Sequence, residues 1–284
     1  MNLGLIMGGG GLVGIAWELG VLAGLQAEVG FDPTNSAVVV GSSAGSVAGA
    51  QAALGRDLQE LVARQRETAR EQPNESASAG REPRAIPPSI LQAMMSATGT
   101  IEERAAAIGQ LALDAEVPGD ADTYVESFRA FLGTDEWPDV DLRVTTAEAE
   151  TGRSIVWDRN AGIGLVRAVA SSCAIPGFFP PVPFAGKHYV DGPRGGFLAS
   201  LAKEKALDGV LFVGPNAALP PAFARQLELD ALAADGLPVV RIEGGEVLAA
   251  IGMNLMDPRL RARAAEAGRD DAREAAVQVK ALLG

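Results

Sequence analysis

Gly41-Ser42-Ser43-Ala44-Gly45 fits the pattern G-x-S-x-G, with Ser43 at its centre. It follows the apolar run Ala37-Val38-Val39-Val40 and opens an Ala-rich segment, Ala44 to Leu54, that reads as a helix. Strand, tight turn and helix form the setting in which this pattern marks a nucleophile elbow. Taken alone, Ser43 reads equally as a helix cap. A serine hydroxyl is a weak nucleophile until a neighbouring base takes its proton. The chain holds a single histidine, His188, so that base is either His188 or something else.

His188 lies in Lys187-His188-Tyr189-Val190-Asp191-Gly192, a short strand-like run ending at a turn. Side chains alternate faces along a strand. Asp191 therefore shares a face with Tyr189, and His188 shares the other with Val190. If Asp191 points into a site, His188 points away from it, which leaves an aspartate as the partner of Ser43. On its own, Asp191-Gly192 reads as a plain turn. At the N-terminus, Asn2 to Met7 reads as a buried strand, Gly8-Gly9-Gly10-Gly11-Leu12-Val13-Gly14 follows, and Ile15 to Val29 reads as a helix. Consecutive glycines let the backbone turn sharply and present bare N–H groups. Such donors at a helix start suit an anion or a developing oxyanion.

The chain resembles the patatin-like phospholipases, which are serine acyl hydrolases. Four stretches carry the resemblance, in the family's order and wide spacing: Gly9 to Gly14, Gly41 to Ser46, Ser171-Ser172-Cys173-Ala174-Ile175-Pro176-Gly177, and Tyr189 to Gly192. Each is weak alone; together they are specific. The resemblance implies a Ser–Asp dyad with a glycine-loop oxyanion hole. Carried over by motif, Ser43 is the nucleophile, Asp191 its partner, and Gly9, Gly10 and Gly11 the oxyanion loop. Two positions depart from the family pattern. Val13 stands where the family usually carries Arg or Lys, and Pro193 stands where it usually has Gly or Ala. Neither touches the nucleophile or the base.

The 284 residues suffice for one large α/β domain with a full core. Apolar residues make up 48% and charged residues 21%, ordinary for a soluble globular protein. The net charge of −12 disfavours nucleic acid and steady electrostatic docking on anionic membranes. No apolar run is expected to reach the length of a membrane span. Cys173 is the only cysteine, so no internal disulfide framework exists. With no basic segment ahead of its first apolar run, the chain fits a reducing cytoplasm.

Strand-like runs alternate with longer helical ones, which argues for a mainly parallel sheet covered on both faces. The expected fold is α/β: a three-layer α/β/α sandwich over residues 1–284 in one acyl hydrolase domain. Ala16, Gly20, Ala23, Gly24 and Ala27 recur at helical spacing, which lets the first helix pack closely on the sheet. Arg70 to Ser89 reads as a mobile loop, rich in proline and polar residues. Ile90 to Met95 then reads either as a lid or as an ordinary core helix, so a loop and candidate lid fall at about 70–100. Two hairpins are expected, one turning at Glu150-Thr151-Gly152-Arg153 and one at Ala185-Gly186. Gly209 to Val213 and Pro238 to Ile242 read as further strands, and Asp257 to Leu283 as a closing helix. Phe178 and Phe179 belong either to an acyl pocket or to the core.

The residues and the resemblance together point to hydrolysis of lipid or other acyl esters, with transient membrane-interface contact and no cofactor or metal. An exposed aspartate, with a pKa near ~3.9, is a poor base at neutral pH. Asp191 works only if it contacts Ser43 directly in a partly desolvated site. The rival from another class is a dinucleotide-binding oxidoreductase, because Gly9-x-Gly11-x-x-Gly14 fits G-x-G-x-x-G. That fingerprint expects an acidic residue ending the second strand; Asp32 has about the right spacing but precedes that strand. A second rival is a non-catalytic lipid-binding homologue, against which intact Ser43 and Asp191 argue.

Overall fold

The computed structural model describes residues 1–71, 87–95, 99–191, 196–215, 226–252 and 254–284. In chain order the elements are β1 (Leu3–Met7), α1 (Gly11–Val29), β2 (Val38–Ser42), α2 (Ala44–Ala53), α3 (Leu58–Glu71), α4 (Pro88–Met95), α5 (Ile101–Asp114), α6 (Ala121–Ser127) and α7 (Arg129–Leu132). They continue with β3 (Leu142–Glu148), β4 (Ser154–Trp157), α8 (Leu165–Ser172), β5 (Val182–Phe184), β6 (Lys187–Val190) and α9 (Leu198–Glu204). The chain closes with β7 (Gly209–Val213), α10 (Gln226–Ala234), β8 (Val239–Ile242), α11 (Glu246–Ile251) and α12 (Arg261–Leu283). Both expected hairpins form, as β3–β4 and β5–β6, and both are antiparallel.

Among the described residues the sheet has eight strands in the order β5-β6-β3-β2-β1-β7-β8, with β4 paired to β3 off that path. β3, β2, β1, β7 and β8 run parallel. Alternation along the strands divides the core into two faces, as period-two geometry requires. Leu5, Met7 and Val39 pack with residues of α1, α2, α8 and α12. Ile6, Val38, Val40 and Phe212 pack with Leu198 and Leu201 of α9 and Leu229 and Leu232 of α10 on the opposite face. Helices thus cover both faces of a central sheet, and the three-layer α/β/α expectation holds.

The register of β3 explains how the two ends of the site meet. At Val144 and Thr145 the strand is flanked by β2 on one edge and β4 on the other. At Ala147 it is flanked by β4 and β6. β6 therefore occupies the same edge of β3 as β2, beyond the point where β2 ends. The two strands run toward each other: β2 is parallel to β3 and β6 antiparallel to it. The residues just past their ends, Ser43 and Asp191, are brought face to face.

α1 differs from expectation in three ways. It starts at Gly11, so the glycine loop runs straight into its first turn. Its small residues face a helix more than the sheet: a Cβ on Gly20 would lie 2.2 Å from the Ala265 carbonyl of α12, and one on Gly24 2.6 Å from the Ala272 side chain. Among the described residues it is also long and apolar enough to cross a membrane by length and composition, which overturns the expectation that no run reaches that length. Val13, Ala16, Trp17, Leu19 and Leu22 are fully buried. Apolar residues on every side are what a buried core helix requires.

Within α1 sits one fully buried carboxyl, Glu18, with no exposure to solvent. Neither oxygen has a hydrogen-bond partner among the described residues. Burial pushes its pKa well above the usual carboxylate range, opposed by the nearby Gly8 amide. That amide gives its hydrogen bond to the Val213 carbonyl at 2.9 Å.

Of the stretch expected as loop and candidate lid, residues 72–86 and 96–98 lie outside the described residues, as do Gly192 and Pro193. Ile90 of α4 is buried. A Cβ on Gly177 would lie 2.5 Å from its tip, so the start of α4 is seated on the turn that ends the Ser171–Gly177 stretch.

Candidate active site

Ser43 occupies the sharp turn between β2 and α2 with φ 53° and ψ −122°. A positive φ is strained for a residue with a side chain and needs surroundings that enforce it. Gly45 supplies one constraint: a Cβ there would lie 2.5 Å from the Met7 and Gly8 backbone. Gly45 N–H also donates to the Gly8 carbonyl at 2.7 Å, locking α2 to the end of β1. Gly41 gives the return path, since a Cβ there would lie 2.5 Å from Ser46 Cα and the Gly45 carbonyl. The two glycines of G-x-S-x-G thus let helix and strands cross at contact distance.

The backbone of Ser43 is held from both sides. Its N–H donates to Ser172 Oγ at 2.8 Å. Its carbonyl accepts from Ser46 Oγ at 2.7 Å and from Cys173 Sγ at 3.2 Å. The residue as a whole is 9% exposed. Ser43 Oγ donates to Asp191 Oδ2 at 2.5 Å, a short O–H···O contact.

Asp191 is placed by the meeting of β6 with β3 and fixed by α8. Its N–H donates to the Ala174 carbonyl at 2.9 Å. Thr146 Oγ1, fully buried, lies 2.9 Å from the Val190 carbonyl and 3.1 Å from the Ser171 carbonyl. One hydroxyl of β3 thereby ties the end of β6 to the end of α8. Sequence reading assigned no role to Thr146 or to Ser172 individually. The signal available was the unusual polarity of Thr145-Thr146 and Ser171-Ser172 inside apolar runs, since buried hydroxyls are kept where they meet partners.

His188 stands apart, as strand alternation implied. Its Nδ1 lies 2.8 Å from Glu150 Oε1, and the side chain is 45% exposed. Cys173 touches the backbone of Ser43 and no imidazole, so it supports the turn.

The glycine loop lies against the nucleophile. A Cβ on Gly9 would sit 3.4 Å from Ser43 Cβ and 3.9 Å from Ser43 Oγ. A Cβ on Gly10 would come within 2.6 Å of the Pro215 ring and 2.8 Å of Gly14 Cα. Gly11 has φ +60°, with the Leu255 carbonyl 2.8 Å from where a Cβ would be. No hydrogen bond among the described residues engages the N–H groups of Gly9, Gly10 or Gly11. Val13 is fully buried and its N–H donates to the Leu255 carbonyl at 3.0 Å. Its side chain is in the core, where a charge would be costly.

An apolar cavity opens beside Ser43, walled in part by Ile15, Val47, Phe179 and Tyr124. Phe179 therefore belongs to the cavity wall, while Phe178 packs edge-on against it at 4.8 Å. Burial, then the neighbouring Cys173 and Asp191, raise the Tyr124 phenol well above its usual pKa, so it stays protonated.

The dinucleotide reading loses its acid. Asp32 caps the short 3-10 turn Pro33–Asn35, accepting from Thr34 N–H at 2.9 Å. That turn precedes β2, and β1 and β2 are parallel, so Asp32 lies at the opposite end of the sheet from the glycine loop.

The family profile described as Patatin-like phospholipase matches residues 5–193, from β1 through the end of β6. The chain belongs to that family. The patatin-like phospholipases supply the class of chemistry, lipid ester hydrolysis, and the matched region contains Ser43, Asp191 and the glycine loop. No curated protein sequence matches the chain. Among solved structures it is similar to VipD from Legionella pneumophila, with 12% identity and TM-score 0.49, covering 98% of this chain and 67% of that one. It is similar to the type III effector ExoU, found in Pseudomonas aeruginosa, with 19% identity and TM-score 0.44, covering 98% and 53%. It is also similar to human GIVD cytosolic phospholipase A2, solved with methyl gamma-linolenyl fluorophosphonate, with 12% identity and TM-score 0.49, covering 99% and 58%. This patatin-like chain spans about half to two thirds of the length of those structures.

Proposed function

We propose that the protein is a serine acyl hydrolase that cleaves carboxylic esters of lipids through a Ser43–Asp191 dyad and a Gly9–Gly11 oxyanion loop. The observation that carries the proposal is the 2.5 Å contact between Ser43 Oγ and Asp191 Oδ2, made with the only histidine tied elsewhere. Ser43 Oγ attacks the ester carbonyl carbon while Asp191 takes its proton. The oxyanion of the tetrahedral intermediate faces the glycine amides, which no described acceptor engages. Collapse breaks the carbon–oxygen bond of the ester, and the leaving alkoxide takes the proton from Asp191. Water then gives a proton to Asp191 and attacks the acyl-serine; collapse releases the carboxylic acid and returns the proton to Ser43. Preorganised donors of this kind are each worth roughly 100- to 1,000-fold in rate.

Residues 1–284 acting as one domain, a cytoplasmic setting and transient contact with a lipid interface belong to the same proposal. It is tested by fatty acid release from p-nitrophenyl butyrate and from phosphatidylcholine vesicles. Ser43→Ala and Asp191→Asn should each lower kcat by about 1,000-fold or more with Tm close to wild type. A folded wild-type protein that turns over neither ester would favour the non-catalytic lipid-binding reading.

A further inference from the structure

The cavity beside Ser43 has a volume of about 180 Å³. Its wall is almost wholly apolar, with Ile15 of α1, Val47 of α2, Phe128 at the α6–α7 junction, Phe131 of α7, Phe179 and Met256. Among the described residues no Lys or Arg lines it. An apolar chain is what such a wall takes.

The wall is braced, which fixes its depth. α2 leads away from Ser43, with Val47 one turn along and Gln51 one turn further. Gln51 Nε2 donates to the Phe131 carbonyl at 2.8 Å, and Arg56 Nη2 to the Leu132 carbonyl at 3.0 Å. The last turn of α7 is thereby tied to α2 beyond Val47. On the other side Tyr124 stacks on Phe179 at 4.7 Å and meets Phe128 edge-on at 5.2 Å. Packed aromatic and hydrogen-bonded walls of this kind do not widen freely.

We propose, building on the acyl hydrolase reading above, that this cavity is an acyl pocket of limited length and that the enzyme prefers medium-chain acyl groups of about six to eight carbons. The yardstick is an apolar protein cavity of roughly 150 Å³, which holds one six-carbon benzene. Chains shorter than the pocket leave apolar wall unfilled. Longer ones leave methylenes outside the pocket, where they add no binding.

The test is kcat/KM for p-nitrophenyl esters from two to sixteen acyl carbons, presented as monomers. We expect a rise of up to about fourfold per methylene to a maximum at six to eight carbons, then a plateau or a fall. Val47→Phe, which fills the pocket, should move the maximum to two to four carbons. Phe131→Ala, at a position 44% exposed and so tolerant of change, should move it to longer chains. A kcat/KM that climbs steadily to sixteen carbons, or a Phe131→Ala profile superposable on wild type, would overturn the proposal. Failure of the hydrolase reading looks different: no ester is cleaved at any length, the acetate included, and the pocket proposal falls with it.

Discussion

Ser43 carries a strained φ of 53° because three side chains and two glycines leave its backbone no other place. The same crowding separates two neighbouring glycines by what a methyl group would do. Gly9→Ala places a Cβ at ordinary contact distance from Ser43, so the variant should fold with Tm near wild type while kcat/KM drops by at least about tenfold, through crowding of the reacting oxygen. Gly10→Ala drives a Cβ into Pro215 and Gly14 and should lower Tm by several degrees, about 1–3 kcal/mol of overpacking. Thermal melts read beside initial rates would separate the two; equal melts would contradict this reading. His188→Ala should leave both kcat/KM and the acid limb of its pH profile within about twofold of wild type, because His188 bonds Glu150 and not the dyad. Collapse of activity in a folded His188→Ala protein would restore a triad. Ser43, Asp191 and the glycines were legible in sequence because each sits in a short motif whose residue types the geometry demands. Ser172 and Thr146 were not, since their partners are backbone groups contributed by elements 25 to 129 residues away.

At the scale of elements, the site is a collision of strand ends: β2 and β6 share one edge of β3 and stop against each other. Strand positions and both hairpins were legible from apolar runs bounded by turn residues. The shared edge was not, because it depends on the register of two pairings, Ser42 with Thr145 and Ala147 with Val190, between segments far apart in sequence. The partner of α1 was also misread: Gly20 and Gly24 serve its packing on α12, and a small residue marks close approach without naming the neighbour. Glu18 in the same helix yields a pH prediction. A folded-state pKa raised by burial means that its contribution to stability is full below the unfolded carboxylate pKa and is lost as pH rises through the folded value. Glu18→Gln should therefore gain stability relative to wild type as pH rises from about 5 to about 9. Urea unfolding of both proteins across that range checks it; parallel curves would show that Glu18 titrates alike in both states.

Across the whole molecule, an acidic chain with one histidine and one cysteine has few ways to activate a serine. The composition ruled out most catalytic machineries before any fold was considered. The α/β/α architecture then brings Asp191 into direct contact with Ser43, as the proposed aspartate base would require. Cavity size and bracing lay beyond sequence reading, because they arise from five separate segments converging beside Ser43. The central claim is that Ser43 is an activated nucleophile served by Asp191. The most direct measurement is fluorophosphonate labelling of the purified protein, read by intact mass, beside Ser43→Ala, Asp191→Asn and His188→Ala. The account predicts a single adduct on wild type and on His188→Ala, none on Ser43→Ala, and labelling slowed by about 100-fold or more in Asp191→Asn. An adduct that survives Ser43→Ala, or one whose rate is indifferent to Asp191→Asn, would contradict it.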